Sequence, residues 1–163
     1  MPATPIVTME AAARLLEALE AFLDESEASF SLVIDRGGAV LSQAGRVPDN
    51  IDPTIVGALG AGSFAATKEL AARVGEQEFT SLHQQGERSQ ILMSSVDSDV
   101  VLITVFDERT TLGLVKFYSA RVVKRIAVVI NDLRSATIEA PIFSEQDLNS
   151  AQQIYSTNKP PTA

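Results

Sequence analysis

From Thr8 onward the apolar side chains Ala12, Leu16, Leu19, Phe22 and Leu23 recur mostly three or four positions apart, which lines them up along one side of a helix. Thr8 is placed to cap its first turn, Glu10 sits near the positive end of the dipole, and the pattern fades across residues 24–28. The period then falls to two: Phe30, Leu32 and Ile34 predict a half-buried strand. Asp35-Arg36-Gly37-Gly38 supplies a turn whose glycines tolerate positive φ, and residues 39–43 return as the second strand of a hairpin. Asp52-Pro53 opens a second helix, with Asp as N-cap and Pro at the first helical position. It runs to about Val74, where Gly75 is a left-handed stop. Gly57, Ala58, Gly60, Ala61, Gly62, Ser63, Ala65 and Ala66 make its middle unusually small. Each interior glycine costs a helix about 1 kcal/mol relative to alanine, so close approach of another backbone is expected to offset it.

Three further strands are predicted at residues 79–87, 89–96 and 100–106. The last, VVLITVF, is nearly continuous and β-branched, as a central strand buried on both faces should be. Asp97-Ser98-Asp99 turns the chain into it, and the weaker segment around His83 reads as an edge. Leu112, Val115, Tyr118, Val122, Ile126, Val129 and Leu133 step by three or four and predict a long helix capped by Thr110 or Thr111. Local propensity in LVKFYS favours a strand at 114–118 instead. Beyond Pro141, Ser144 and Asp147 stand in capping-box spacing for a short helix over 144–155, with Leu148, Ala151 and Ile154 on one side. The rest of the tail is expected to be flexible. The order helix, two strands, helix, three strands, helix, with hairpin connections, gives an α+β fold with an antiparallel sheet.

Composition narrows what such a domain can do. The 163 residues carry 13 basic and 21 acidic side chains, a net charge of −8 that disfavours phosphate backbones. There is no cysteine and a single histidine. Disulfides, thiolate sites, His triads and two-His metal sites are therefore excluded. His83 has no obvious catalytic partner and reads as structural. The acidic clusters at residues 24–27, 97–99 and 107–108 sit where elements end and read as turns and caps rather than a calcium loop. No Gly-rich loop ends in Lys-Ser/Thr. Gly60-Ala61-Gly62-Ser63-Phe64-Ala65 does fit the G-x-G-x-x-[GA] dinucleotide fingerprint, the basis of an alternative reading as a small dinucleotide-binding enzyme. Against it, Asp52-Pro53 starts a helix rather than a strand, and no alternating βαβ series surrounds it. The N-terminus lacks a basic start and a long apolar run, and no stretch reaches the roughly 18 apolar residues of a membrane span, so a cytoplasmic location is expected. What remains is interface chemistry: a small-residue helix can dock closely on a second copy of itself.

The segments SLVIDRGGAVLSQAG, LGAGSFAATKELAARVGEQEF, HQQGERSQILM and VVLITVFDERTTLGLVKFYSARVVKRI occur in the same order as the elements derived above. Together they resemble the roadblock/LC7 family, and within it the bacterial polarity regulators. The resemblance covers residues 8–136, leaving 137–163 as a tail. It implies an αββαβββα domain: a five-stranded antiparallel sheet with two helices on one face and the small-residue helix on the other, LVKFYS being helical. It also implies a homodimer in which the second helices pack antiparallel and the third strands pair across the two-fold. Ala58, Gly62, Ala65 and Ala66 would then lie at the helix contact, and Phe79 and Leu82 at the strand junction. The implied partner is a Ras-like small GTPase of the MglA type, with Ala61, Lys68 and Glu69 facing it. The dimer would stimulate GTP hydrolysis by reordering the GTPase's own catalytic residues, with no catalytic residue, metal or cofactor of its own. Cell polarity or motility, with concentration at a cell pole, is the implied setting. Many roadblock proteins are adaptors, so a scaffold dimer without activating function is the alternative.

Overall fold

In a computed structural model, which describes residues 6–139, the helix at the start of the chain, α1 (Met9–Ser26), begins where Thr8 accepts a hydrogen bond from the Ala11 amide at 3.2 Å. Strands β1 (Phe30–Asp35) and β2 (Val40–Gly45) follow, then α2 (Pro53–Arg73), β3 (Ser81–Gln85), β4 (Gln90–Ser95), β5 (Val100–Phe106) and α3 (Leu112–Glu139). The five strands form one antiparallel sheet in the order β2-β1-β5-β4-β3. VVLITVF takes the central place and the His83 segment an edge, as their hydrophobic content predicts.

Alternation along the strands divides the core into two layers. Val33, Leu92, Val100, Leu102 and Phe106 face α1 and α3, whereas Leu32, Ile34, Met93, Val101 and Ile103 face α2. Two helices therefore cover one side of the sheet and the small-residue helix the other, as the αββαβββα expectation has it. LVKFYS is helical despite its strand propensity. Thr111 caps the turn by accepting from the Leu114 amide at 3.2 Å, and Val115, Ser119, Val122, Ile126 and Ile130 form a buried row on the sheet. Burial of that row outweighs the few tenths of a kcal/mol per residue that β-branching costs a helix. The helix continues to Glu139, past the expected domain end at 136. The expected helix at 144–155 and the remainder of the tail lie outside the described residues.

Strands β2, β3 and β4 all differ in their bounds from the sequence reading, β4 by one residue at each end. β2 starts at Val40 because Asp35 organises the turn: its backbone amide bonds to the Ala39 carbonyl at 3.0 Å and its carboxylate accepts from the Ala39 amide at 2.9 Å. β3 is shorter than 79–87, so Phe79 precedes the strand rather than lying in it.

Ser31 and Thr104 are register partners in the β1–β5 ladder, fully buried under α1 and α3, and neither hydroxyl has a hydrogen-bond partner among the described residues. An orphaned buried hydroxyl costs more than the methyl of the same shape. Thr104→Val is therefore expected to stabilise the fold by about 1 kcal/mol. The urea midpoint should rise with an unchanged slope; a fall would show that the hydroxyl is satisfied.

Candidate functional site

Asp52 and Pro53 start α2 as predicted, with the Asp52 carboxylate accepting from the Thr54 amide at 2.9 Å. The interior glycines of the helix then divide into two kinds. A Cβ on Gly57 would lie 2.8 Å from the carbonyl oxygen of Gly38, and one on Gly60 would lie 2.4 Å from Cδ1 of Ile103. These two glycines let α2 descend onto the β1–β2 turn and the sheet. A Cβ on Gly62 would meet nothing within 4 Å. Close approach within the chain, to backbone at Gly57 and to the Ile103 side chain at Gly60, thus explains these two, and leaves Gly62 on open surface.

That surface is apolar. Ile55, Leu59, Leu70 and Val74 are 58%, 70%, 56% and 63% exposed. With Gly62 and Ala66, also exposed, they recur at intervals of three or four and form one row on the outer side of α2. At 1.5 Å per residue this row runs about 28 Å, and contiguous exposed apolar surface of that extent marks an interaction site. Only Gly57, Gly60, Ala61 and Ala71 of this helix are buried.

Beside the row, under the C-terminal half of α2, lies a groove of about 520 Å³. Phe64, Ala65, Ala72, Phe79 and Val101 supply apolar lining, while Arg36, Lys68, Glu69 and Asp97 supply charge. The groove exists because α2 is seated by its glycines over β1 and β5 and does not descend onto the β4–β3 end of the sheet. Asp97 holds the β4–β5 turn at its rim, accepting from the amides of Asp99 and Val100 at 2.7 and 2.9 Å and from Arg134 at 2.8 Å. Beyond the groove, β3 is an edge strand, with its outer side unpaired among the described residues.

The residues singled out from the sequence fall on this region in three places. Gly62 and Ala66 stand in the outer row, with the exposed Ala58 near the β1–β2 turn. Ala65, Phe79, Lys68 and Glu69 line the groove, and half-buried Leu82 packs on the α2 side of the sheet at its edge. Ala61 lines the inner end of the same groove, where it is 8% exposed and packs into the sheet-facing core. Its small size serves the seating of α2. Ile55, Leu59, Leu70 and Val74 were missed, although their helical spacing is legible once the small residues are assigned to both faces.

The G-x-G-x-x-A stretch lies in the middle of a continuous helix, so its amides are committed to helical bonds and no helix N-terminus is available to a pyrophosphate. His83 shares a hydrogen bond with Gln90 at 2.8 Å and stacks on Phe106 on the other side of the sheet. The Arg109 guanidinium, bonded to the half-buried Asp107 at 2.9 Å, holds that carboxyl below its ordinary range, but the pair pins the β5–α3 connection to Ser29. Among the described residues no group of His, Asp and Glu could hold a metal ion, and no helix is long and apolar enough to cross a membrane.

A family model described as the Roadblock/LC7 domain matches residues 14–106. Among solved structures, Myxococcus xanthus MglB superposes with a TM-score of 0.73 at 30% identity, covering 78% of this chain and 96% of that one. The gliding protein MglB of Thermus thermophilus gives 0.74 at 31% identity, over 81% and 98%. An MglB described as having a tetrameric arrangement gives 0.76 at 30% identity, over 82% and 98%.

Proposed function

Because the chain belongs to the roadblock/LC7 family, we propose that it acts as a homodimeric regulator that binds a Ras-like small GTPase of the MglA type and stimulates its GTP hydrolysis. The observation that carries this reading is the exposed apolar row of α2, with Gly62 open at its centre. Two copies of α2 packed antiparallel through this row would remove it from water. The open edge of β3 would meet its counterpart by strand addition, continuing the sheet across the two-fold. The groove at the charged end of α2, rimmed by Lys68 and Glu69, lies beside that junction and is the surface offered to the GTPase. A chain of this kind accelerates hydrolysis by holding the switch segments of its partner in a reactive arrangement, so that the catalytic residues belong to the GTPase. Likeness to MglB, including one described as a gliding protein, supports a setting in polarity or motility.

Mixing the protein with an MglA-type GTPase and GTP is expected to raise the rate of phosphate release at least tenfold. An unchanged rate alongside measurable complex formation would replace activation with the adaptor reading, which the same surface also supports. Absence of a complex would overturn both.

A further inference from the structure

The helices on the far side of the sheet carry opposite charge. Arg14 of α1 bridges to Asp132 of α3 at 2.8 Å, while Phe22 and Glu25 line one cleft with Tyr118 and Arg121, so the two helices run antiparallel side by side. Along the exposed side of α1 stand Glu17, Glu20 and Asp24. Between Leu112 and Asn131, α3 has four cations, Lys116, Arg121, Lys124 and Arg125, and no acid, within a chain of net charge −8. None of Glu17, Glu20, Asp24, Lys124 and Arg125 makes an ion pair among the described residues. Phe117 and Val128, 58% and 54% exposed, share the outward face of α3 with Arg121 and Lys124, at spacings of four, three and four.

A uniformly anionic surface suits only half of this layer. Glu17 of α1 shares one cleft with Arg125 of α3, and Glu25 another with Arg121 and Arg125, so acids and cations flank a common seam. A lipid headgroup or nucleic-acid backbone drawn to the cations is repelled by the acids beside them. A surface that presents cations to α1 and carboxylates to α3 fits both, and this layer, turned by 180° about an axis along its own seam, is such a surface. We propose that the α1–α3 layer binds the same layer of a second copy of this chain, α1 of each lying over α3 of the other. Phe117 and Val128 are the apolar anchors, and the two charge rows set the register. The pairing is independent of the α2 reading, because it uses the opposite side of the sheet, and both faces can be occupied at once.

The test is the mass of the full-length protein by light scattering. R121E/K124E places carboxylates opposite the acids of α1, and E20K/D24K places cations opposite those of α3. Each is expected to halve the mass of the wild type while keeping its circular dichroism. An equimolar mixture of the two variants is expected to restore the larger species, since each then meets its opposite. In about 1 M salt, where the Debye length falls to about 3 Å, the wild type should dissociate as the variants do. Unaltered mass in both variants, or failure of the mixture to recover, overturns the proposal. So does binding of the wild type to phosphatidylserine vesicles that R121E/K124E abolishes without a change in mass. Leu59→Asp separates this pairing from that of α2: it should lower the mass by its own factor of two while leaving the charge-swap recovery intact.

Discussion

Gly38→Val is expected to destabilise the fold by about 3 kcal/mol or more, measured as a lower urea midpoint with an unchanged slope. Gly38 ends the β1–β2 turn at φ +88, a conformation that β-branched residues almost never adopt. Leaving the ordinary regions costs about 1–2 kcal/mol. A Cβ there would also lie 2.6 Å from Cα and 3.0 Å from the amide nitrogen of Ala58, backbone atoms with no flexible end to yield. Overpacking of that kind adds about 1–3 kcal/mol, and the sum is a large part of the 5–15 kcal/mol that holds a domain together. Gly75→Val is the control. Gly75 has nearly the same φ, +83, but a Cβ there meets nothing within 4 Å, so only the backbone cost should appear. Equal losses at the two positions would mean that the seat of α2 on the turn is looser than Gly38 and Gly57 indicate.

That contact shows where sequence legibility ends. Every element was readable: caps at Thr8, Asp52 and Thr111 are local chemistry, and the central place of VVLITVF follows from its uninterrupted apolar run. A glycine-rich helix announced a close approach, yet spacing could not say which glycines meet the sheet and which face out. Gly57 and Gly60 differ from Gly62 only in where the β1–β2 turn and Ile103 lie, and that depends on strand order. The same ambiguity overlooked Leu59 and Leu70. Along α2 the apolar residues are so dense that no single face stands out by period, so the outer row becomes visible only once the inner one is fixed. The groove was not legible at all. It follows from how far α2 overhangs β4 and β3, a distance set by packing rather than by any residue type.

Gly62→Arg is expected to weaken self-association through α2 at least a hundredfold, or about 2.7 kcal/mol, and to abolish stimulation of the GTPase with it. The argument turns on a contrast at one position. Within a single chain a side chain at Gly62 enters open space, so Gly62→Ala should favour the helix by about 1 kcal/mol. If a second α2 lies across the outer row, the backbone of the partner occupies that space, and even a methyl group pushes the two helices apart. Concentration therefore sets the sign of the alanine effect: stabilising where the chain is monomeric, neutral or destabilising where it is paired. Arginine removes the contact altogether while leaving the helix well formed, since it is a good helix former and the site is open to water. Light scattering and urea melts at several concentrations read both effects. Should Gly62→Arg still pair and still stimulate hydrolysis, the row from Ile55 to Val74 is not where the copies meet. The open edge of β3, with Leu82, would then have to carry the interface alone.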